Sequence, residues 1–415
     1  TFFQAPPRPL WPGRWLFEFP YLMFQPTPQR GRIWKRLPLR QKNSISLKGE
    51  VSNLSWILMK RLPLAAALAA FAVFLVWSVS ARQGLLFLVG IGLGAALAGA
   101  RFGFTTGWRM LVEQRDARGV MGQLLLLALA SILAMPLLGL FPELTAALGP
   151  PSVSLLIGAF FFGLSMQIAD GCGSGTLYKA GLGIPLNMAI LPVFALGSFL
   201  GSVHLDGWLA LGKTEPVGLV SAWGWMPALA ATLVALALVG WGVRRWAGNA
   251  HPLWDKRWVV GAIALALLAT ANLLLAGQPW GVVYGFGLWA AKIAQGVGAF
   301  DPSANWFWSQ PGNAQRITQT VLLDVTSITN IGILGGALWV AAKKTETSKP
   351  LTGQQWLVGM AAGLLMGYSS RLAFGCNVGA MLSGIATGSI HGWIWVPLAF
   401  GGTLIGLRVR RHFQF

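Results

Sequence analysis

The chain has two cysteines, and both sit in nearly the same glycine-rich phrase. IADGCGSGTLYKAG occupies 168–181 and LAFGCNVGAMLSGI occupies 372–385. Glycine is about 1 kcal/mol worse than alanine inside a helix. Gly171, Gly173 and Gly175, and again Gly375 and Gly379, therefore favour a break where backbone N–H groups lose their helical acceptors. A helix restarting after such a break aims N–H groups and its positive dipole end at a passing anion. With Asn377, these glycines and the two thiols of Cys172 and Cys376 form the candidate substrate-binding set. Thiols removed from charge and water keep their protons, and a neutral S–H donates weakly to an anion that a thiolate would repel. That chemistry points to a soft sulfur or selenium oxyanion.

Other uses of these thiols fit less well. A lone cysteine in an apolar span is most often a small filler, but two at equivalent positions in glycine breaks argue for more. There is no C-x-x-C, and only His204, His251, His391 and His412 could assist a zinc ion, so no metal and no bound cofactor are expected. Catalytic redox chemistry usually uses a paired motif, which is absent. A disulfide stays open, provided the two sulfurs converge within bonding range. Lys179, Lys292 and Arg371 lie near the phrases and either attract an anion over distance or snorkel to an interface. Asp170 would oppose an anion unless it pairs with a cation or faces the cytoplasm.

The elements that must position these residues are membrane helices. The chain is 55% hydrophobic and only 10% charged, against roughly 25% charged in soluble proteins. Apolar spans fall at about 62–79, 85–100, 120–140, 152–169, 186–203, 221–243, 258–277, 321–342, 356–373 and 391–407. Each approaches the roughly 20 residues that cross a hydrocarbon core. An all-α polytopic membrane protein of 9–10 crossings follows, with short re-entrant helices at the glycine breaks.

The net charge of +19 does not indicate nucleic acid. Eleven of the 31 Lys and Arg lie in residues 1–61, and the rest cluster in short loops beside apolar spans. The positive-inside rule then puts the N-terminal tail, 101–118, 244–257, 343–349 and 408–411 in the cytoplasm, and 141–151, 204–220 and 299–320 outside. Both termini are cytoplasmic in this arrangement. Residues 1–58, basic and proline-rich, read as an extension that is disordered or not native, with Met59 as a natural start. Residues 59–250 and 251–415 read as two transmembrane halves.

The halves repeat. At an offset of 204, Gly163, Ser165, Ala169, Gly171, Cys172 and Gly175 match Gly367, Ser369, Ala373, Gly375, Cys376 and Gly379. With one residue inserted, Pro192, Gly197 and Gly201 match Pro397, Gly402 and Gly406. The topology brings the two phrases in from opposite sides of the bilayer, the pattern of inverted-repeat transporters with a midplane site. A weaker echo joins FTTGWRML at 104–111 to YGFGLWAAK at 284–292. GIGLG at 90–94 reads as close helix packing by small residues.

GCGSGTLYKAG, RLAFGCNVGAMLSGI with the following HGWIW, and more loosely ARFGFTTGWR and PWGVVYGFGLWAAK, resemble the YeeE/YedE family, which includes TsuA-type thiosulfate uptake proteins. The resemblance covers roughly 60–410. It implies a non-enzymatic permease of the bacterial cytoplasmic membrane, with Cys172 and Cys376 as relay points for thiosulfate. It also implies a small cytoplasmic sulfur-carrier protein as partner. Many relatives carry a third cysteine in an F-C-F-T phrase. Here Gly103 stands in its place, so backbone N–H groups or Thr105 take over that station, or the substrate differs. A selenium compound is one alternative substrate. A membrane redox or sulfurtransferase subunit with a persulfidated cysteine is a rival function, and a structural membrane partner is a third.

Overall fold

The computed structural model describes residues 47–248, 250–342 and 350–415. Most of the basic extension and residues 343–349 therefore lie outside the described residues. Val51–Phe415 form one compact unit.

That unit is built from helices. In chain order they are α1 (Leu47–Ser78), α2 (Ala81–Ala100), α3 (Phe104–Gln114), α4 (Arg118–Leu140), α5 (Val153–Ile168), α6 (Gly173–Gly181) and α7 (Pro185–Val203). Next come α8 (Leu205–Ala210), α9 (Leu219–Trp223), α10 (Trp225–Ala247), α11 (Lys256–Ala276) and α12 (Val283–Gly296). The chain ends through α13 (Trp306–Ser309), α14 (Pro311–Thr318), α15 (Val325–Ala341), α16 (Gly353–Leu372), a π-helical stretch (Asn377–Ser383), α17 (Gly384–Ala386) and α18 (Ile390–His412). Among the described residues nine helical stretches are long and apolar enough to cross a membrane, and α15 is a shorter apolar helix. The protein is a multi-pass α-helical membrane protein.

Local chemistry sets several helix ends. The Ser80 and Ser152 hydroxyls accept from the N–H groups of Gln83 and Leu155 at the starts of α2 and α5. Thr352 and Gln355 form a reciprocal capping box on α16, which satisfies two donors that the first helical turn leaves open.

Packing interleaves the two sequence halves: α5 lies on α18, α7 on α16, α2 on α15 and α4 on α11. Glycines permit the closest crossings. A Cβ added at Gly163 would lie 1.9 Å from the Ala399 carbonyl oxygen, and one at Gly402 would lie 1.9 Å from that of Phe160. In the sister crossing, Gly367 meets the Phe194 carbonyl at 2.2 Å and Gly197 meets the Leu364 carbonyl at 2.1 Å. Every member of the second set is the repeat counterpart of one in the first, so the glycine pattern found by offset describes one packing solution used twice. The GIGLG phrase packs as its composition suggests, with Gly94 directly against the Ile333 carbonyl of α15.

Four short elements stand apart from these crossings. Helices α3, α6 and α12 have 11, 9 and 14 residues, and the π-helical stretch has 7. All fall short of a crossing. Each is tied to a phrase singled out in the sequence.

Candidate functional site

The cysteine loops are built alike. After α5, Ala169 and Asp170 turn the chain, Gly171 donates its N–H to the Met166 carbonyl at 3.1 Å, and Cys172 caps α6. After α16, Gly375 donates to the Ser370 carbonyl at 2.8 Å, and Cys376 precedes the π-helical stretch. Gly171 packs on the Thr176 N–H and Gly375 on that of Ala380, so a Cβ at either would meet backbone nitrogen within 2.8 Å. These glycines are there for close approach. The π-helical winding leaves backbone groups offset from ordinary α partners, a feature frequent at functional sites.

The two loops meet. Helix α6 contacts the π-helical stretch, and a Cβ built on Gly173 would stand 3.2 Å from the Cys376 sulfur. Cys376 therefore packs against the residue that follows Cys172. Both cysteines are free thiols with no exposed surface. The Cys172 sulfur accepts from the Gly175 N–H at 3.4 Å and lies 3.5 Å from the Ser174 hydroxyl.

The surrounding interior holds polar atoms that the protein leaves unpaired. Thr105 Oγ1, Ser165 Oγ, Gln167 Oε1, Thr176 Oγ1, Asn187 Oδ1 and both amide atoms of Asn377 are buried without a hydrogen-bond partner. Each such group costs about 1–3 kcal/mol when left dry and unpaired. Thr176 and Asn377 belong to the cysteine phrases themselves, so each phrase carries polar atoms able to meet a polar guest.

Charge gathers on both flanks. Asp170 pairs with Lys179 at 2.6 Å, Arg109 at 2.8 Å and Arg410 at 3.4 Å; Lys179 also donates to the Asp170 carbonyl. Elsewhere Arg371 stacks over the Phe307 and Tyr284 rings, 4.7 and 5.5 Å from their centres. Lys292 donates to the carbonyls of Ile317 and Gln319. Lys179 thus joins the Cys172 loop, while Arg371 and Lys292 belong to a separate cluster with α12, α13 and α14.

Gly103 caps α3, and a Cβ there would lie 2.8 Å from Thr106 Oγ1. Thr105, two residues on, gives its carbonyl to Gln167 Nε2 at 3.3 Å, which ties α3 to the end of α5 just before the Cys172 loop.

A family model for sulphur transport matches residues 99–405. The chain belongs to this family. Membership bears out the YeeE/YedE resemblance carried by the cysteine phrases, and it places the chain among transport proteins rather than enzymes. Two thiosulfate transporters named TsuA are similar to it. That of Escherichia coli is 27% identical over 338 residues, covering 74% of this chain and 88% of its own length. That of Spirochaeta thermophila is 26% identical over 337 residues, covering 74% and 92%. A probable transporter, YedE of Salmonella typhimurium, is 27% identical over 150 residues, or 35% of this chain and 36% of its own length.

Within this member of the sulphur transport family, the sequence reading missed Arg109, Gln167, Thr176 and Arg410. Gln167 carried a signal, since an amide inside an apolar span is expensive and often functional. The ion-pair partners of Asp170 come from α3 and α18, far away in sequence, and no spacing rule joins them.

Proposed function

We propose that the protein takes up thiosulfate, or a closely similar sulfur anion, across the bacterial cytoplasmic membrane along a path lined by Cys172 and Cys376. The observation that supports this reading is the close approach of Cys376 to Gly173, the residue after Cys172, with both cysteines fully buried. Similarity to two thiosulfate transporters supports the substrate.

In this reading the two halves insert with opposite orientation, α3 and α6 re-entering from the cytoplasmic side and α12 and the π-helical stretch from the outside. The termini are cytoplasmic, in keeping with Arg244, Arg245, Arg410 and Arg411 at the ends of α10 and α18. Arg371 and Lys292 then stand at the outer mouth and draw the anion in. The Asn377 side-chain amide, which has no protein partner, offers N–H donors beside the thiols, while Gly171, Gly175, Gly375 and Gly379 shape the loops that carry them. Thr105 replaces the thiol that Gly103 lacks.

Growth of a host deficient in sulfate uptake, with thiosulfate as sole sulfur source, tests the reading. The wild-type chain should restore growth, and Cys172→Ala and Cys376→Ala, at equal expression, should not. Full growth with both alanines present would refute the cysteine path.

A further inference from the structure

Thiol chemistry does not account for the charged cluster beside Cys172. The Asp170 carboxylate is met by Arg109 from α3, Lys179 from α6 and Arg410 from α18. The four side chains are only 13–26% exposed. Three positive charges surround one negative charge, a surplus of two.

Unpaired donors and acceptors lead into this cluster. Cys172, Thr176 and Lys179 are spaced i, i+4, i+7, which aligns them on one face of α6. Thr176 is 1% exposed and its hydroxyl has no protein partner. Gln167 Oε1, in a side chain with no exposed surface, is also unpaired, while its backbone carbonyl accepts from Arg410 Nη1 at 2.9 Å. The cluster carries an excess of positive charge over the Asp170 carboxylate, and the Thr176 hydroxyl and Gln167 Oε1 lack protein partners.

We propose that Arg109, Lys179, Arg410 and Thr176 form a second binding station for the sulfur anion, beyond Cys172, in which the Asp170 carboxylate sits as a resident counter-anion. The inference rests on the reading of the cysteine loops as an anion path. A divalent oxyanion matches the surplus of two, and its oxygens accept from the same N–H donors that now hold the carboxylate. Asp170 stays in place and repels the arriving anion. Conduction requires a site attractive enough to enter and weak enough to leave, and the carboxylate supplies the weakening.

Uptake of radiolabelled thiosulfate into proteoliposomes holding the full chain tests the station. Asp170→Asn removes the counter-anion, so KM should fall about tenfold and the maximal rate should fall with it, as release slows. Arg410→Gln and Thr176→Val should raise KM several-fold. A cluster that merely holds the fold would instead reduce the yield of folded protein and leave KM unchanged in what remains, which overturns the proposal. Wild-type uptake with wild-type KM in all three variants would sink the station alone. Absence of uptake by the wild type would sink the path reading, and the station with it.

Discussion

Asp170 and Phe374 occupy the same place in the two cysteine loops, and both hold the left-handed backbone conformation, with φ of 53° and 56°. For a residue with a Cβ that conformation costs roughly 1–2 kcal/mol. The same backbone turn therefore presents two different side chains. Asp170 lies among three cations, whereas the Phe374 ring lies 6.4 Å from that of His391. Two loops with one geometry end in an ionic cluster on one side and an aromatic pair on the other.

The glycine crossings should be intolerant of a single methyl group. Gly163→Ala and Gly367→Ala each drive a Cβ into a carbonyl oxygen. Each is expected to cost about 1–3 kcal/mol, read as a lowered thermal midpoint in detergent. Gly99 has nothing within 4 Å of an added Cβ, so Gly99→Ala should match or slightly exceed the wild type.

Gly173 sets the spacing between the loops. Its Cβ would lie 3.2 Å from the Cys376 sulfur and 3.6 Å from the Phe194 ring, so alanine narrows the gap and valine fills it. Gly173→Ala should reduce the maximal uptake rate several-fold at normal folded yield, and Gly173→Val should abolish uptake. Unchanged uptake with valine would mean that the substrate passes elsewhere.

Placing at position 103 the cysteine that the family resemblance implies there should fail by itself. A Cβ there lies 2.8 Å from Thr106 Oγ1 and 3.2 Å from its Cβ. Gly103→Cys alone should lower the thermal midpoint, and adding Thr106→Ala should recover much of the loss. If Gly103→Cys alone is as stable as the wild type, Thr106 does not guard this position.

Outside the spans, Asp116 is tied to Arg118 by paired hydrogen bonds of 2.6–3.0 Å. Those bonds hold its carboxyl below the usual carboxylate range, against a smaller opposing effect of burial. A depressed folded-state pKa gives stability that is present above about pH 4 and is lost as pH falls through the folded value. Asp116→Asn should therefore be less stable than the wild type by about 1 kcal/mol at pH 7. The gap should close on acidification, as thermal midpoints across pH would record.

Much of this architecture is legible in the sequence. Nine of the ten apolar spans coincide with helices long enough to cross, whereas the span read at 321–342 forms α15, a shorter apolar helix, and the one read at 221–243 is interrupted at Gly224; α1 starts earlier than the span read at 62–79. The glycine offset is legible because close approach demands that residue type at both ends of each crossing. The π-helical winding after Cys376 is not, since NVGAMLS has no composition that separates it from an α-helix. Nor is the company of Asp170. Its nearest cation in sequence is Lys179, but Arg109 and Arg410 reach it only through the packing of α3 and α18. The unpaired hydroxyls of Thr105 and Thr176 become visible only when every neighbour is counted.

The central claim is that two uncharged thiols share one route for a sulfur anion. Proteoliposome uptake of radiolabelled thiosulfate by Cys172→Ala, Cys376→Ala and the double variant tests it most directly. Each single variant is expected to lose at least about tenfold in rate at wild-type folded yield, and the double variant to show no uptake above empty vesicles. Wild-type uptake by the double variant would contradict the account.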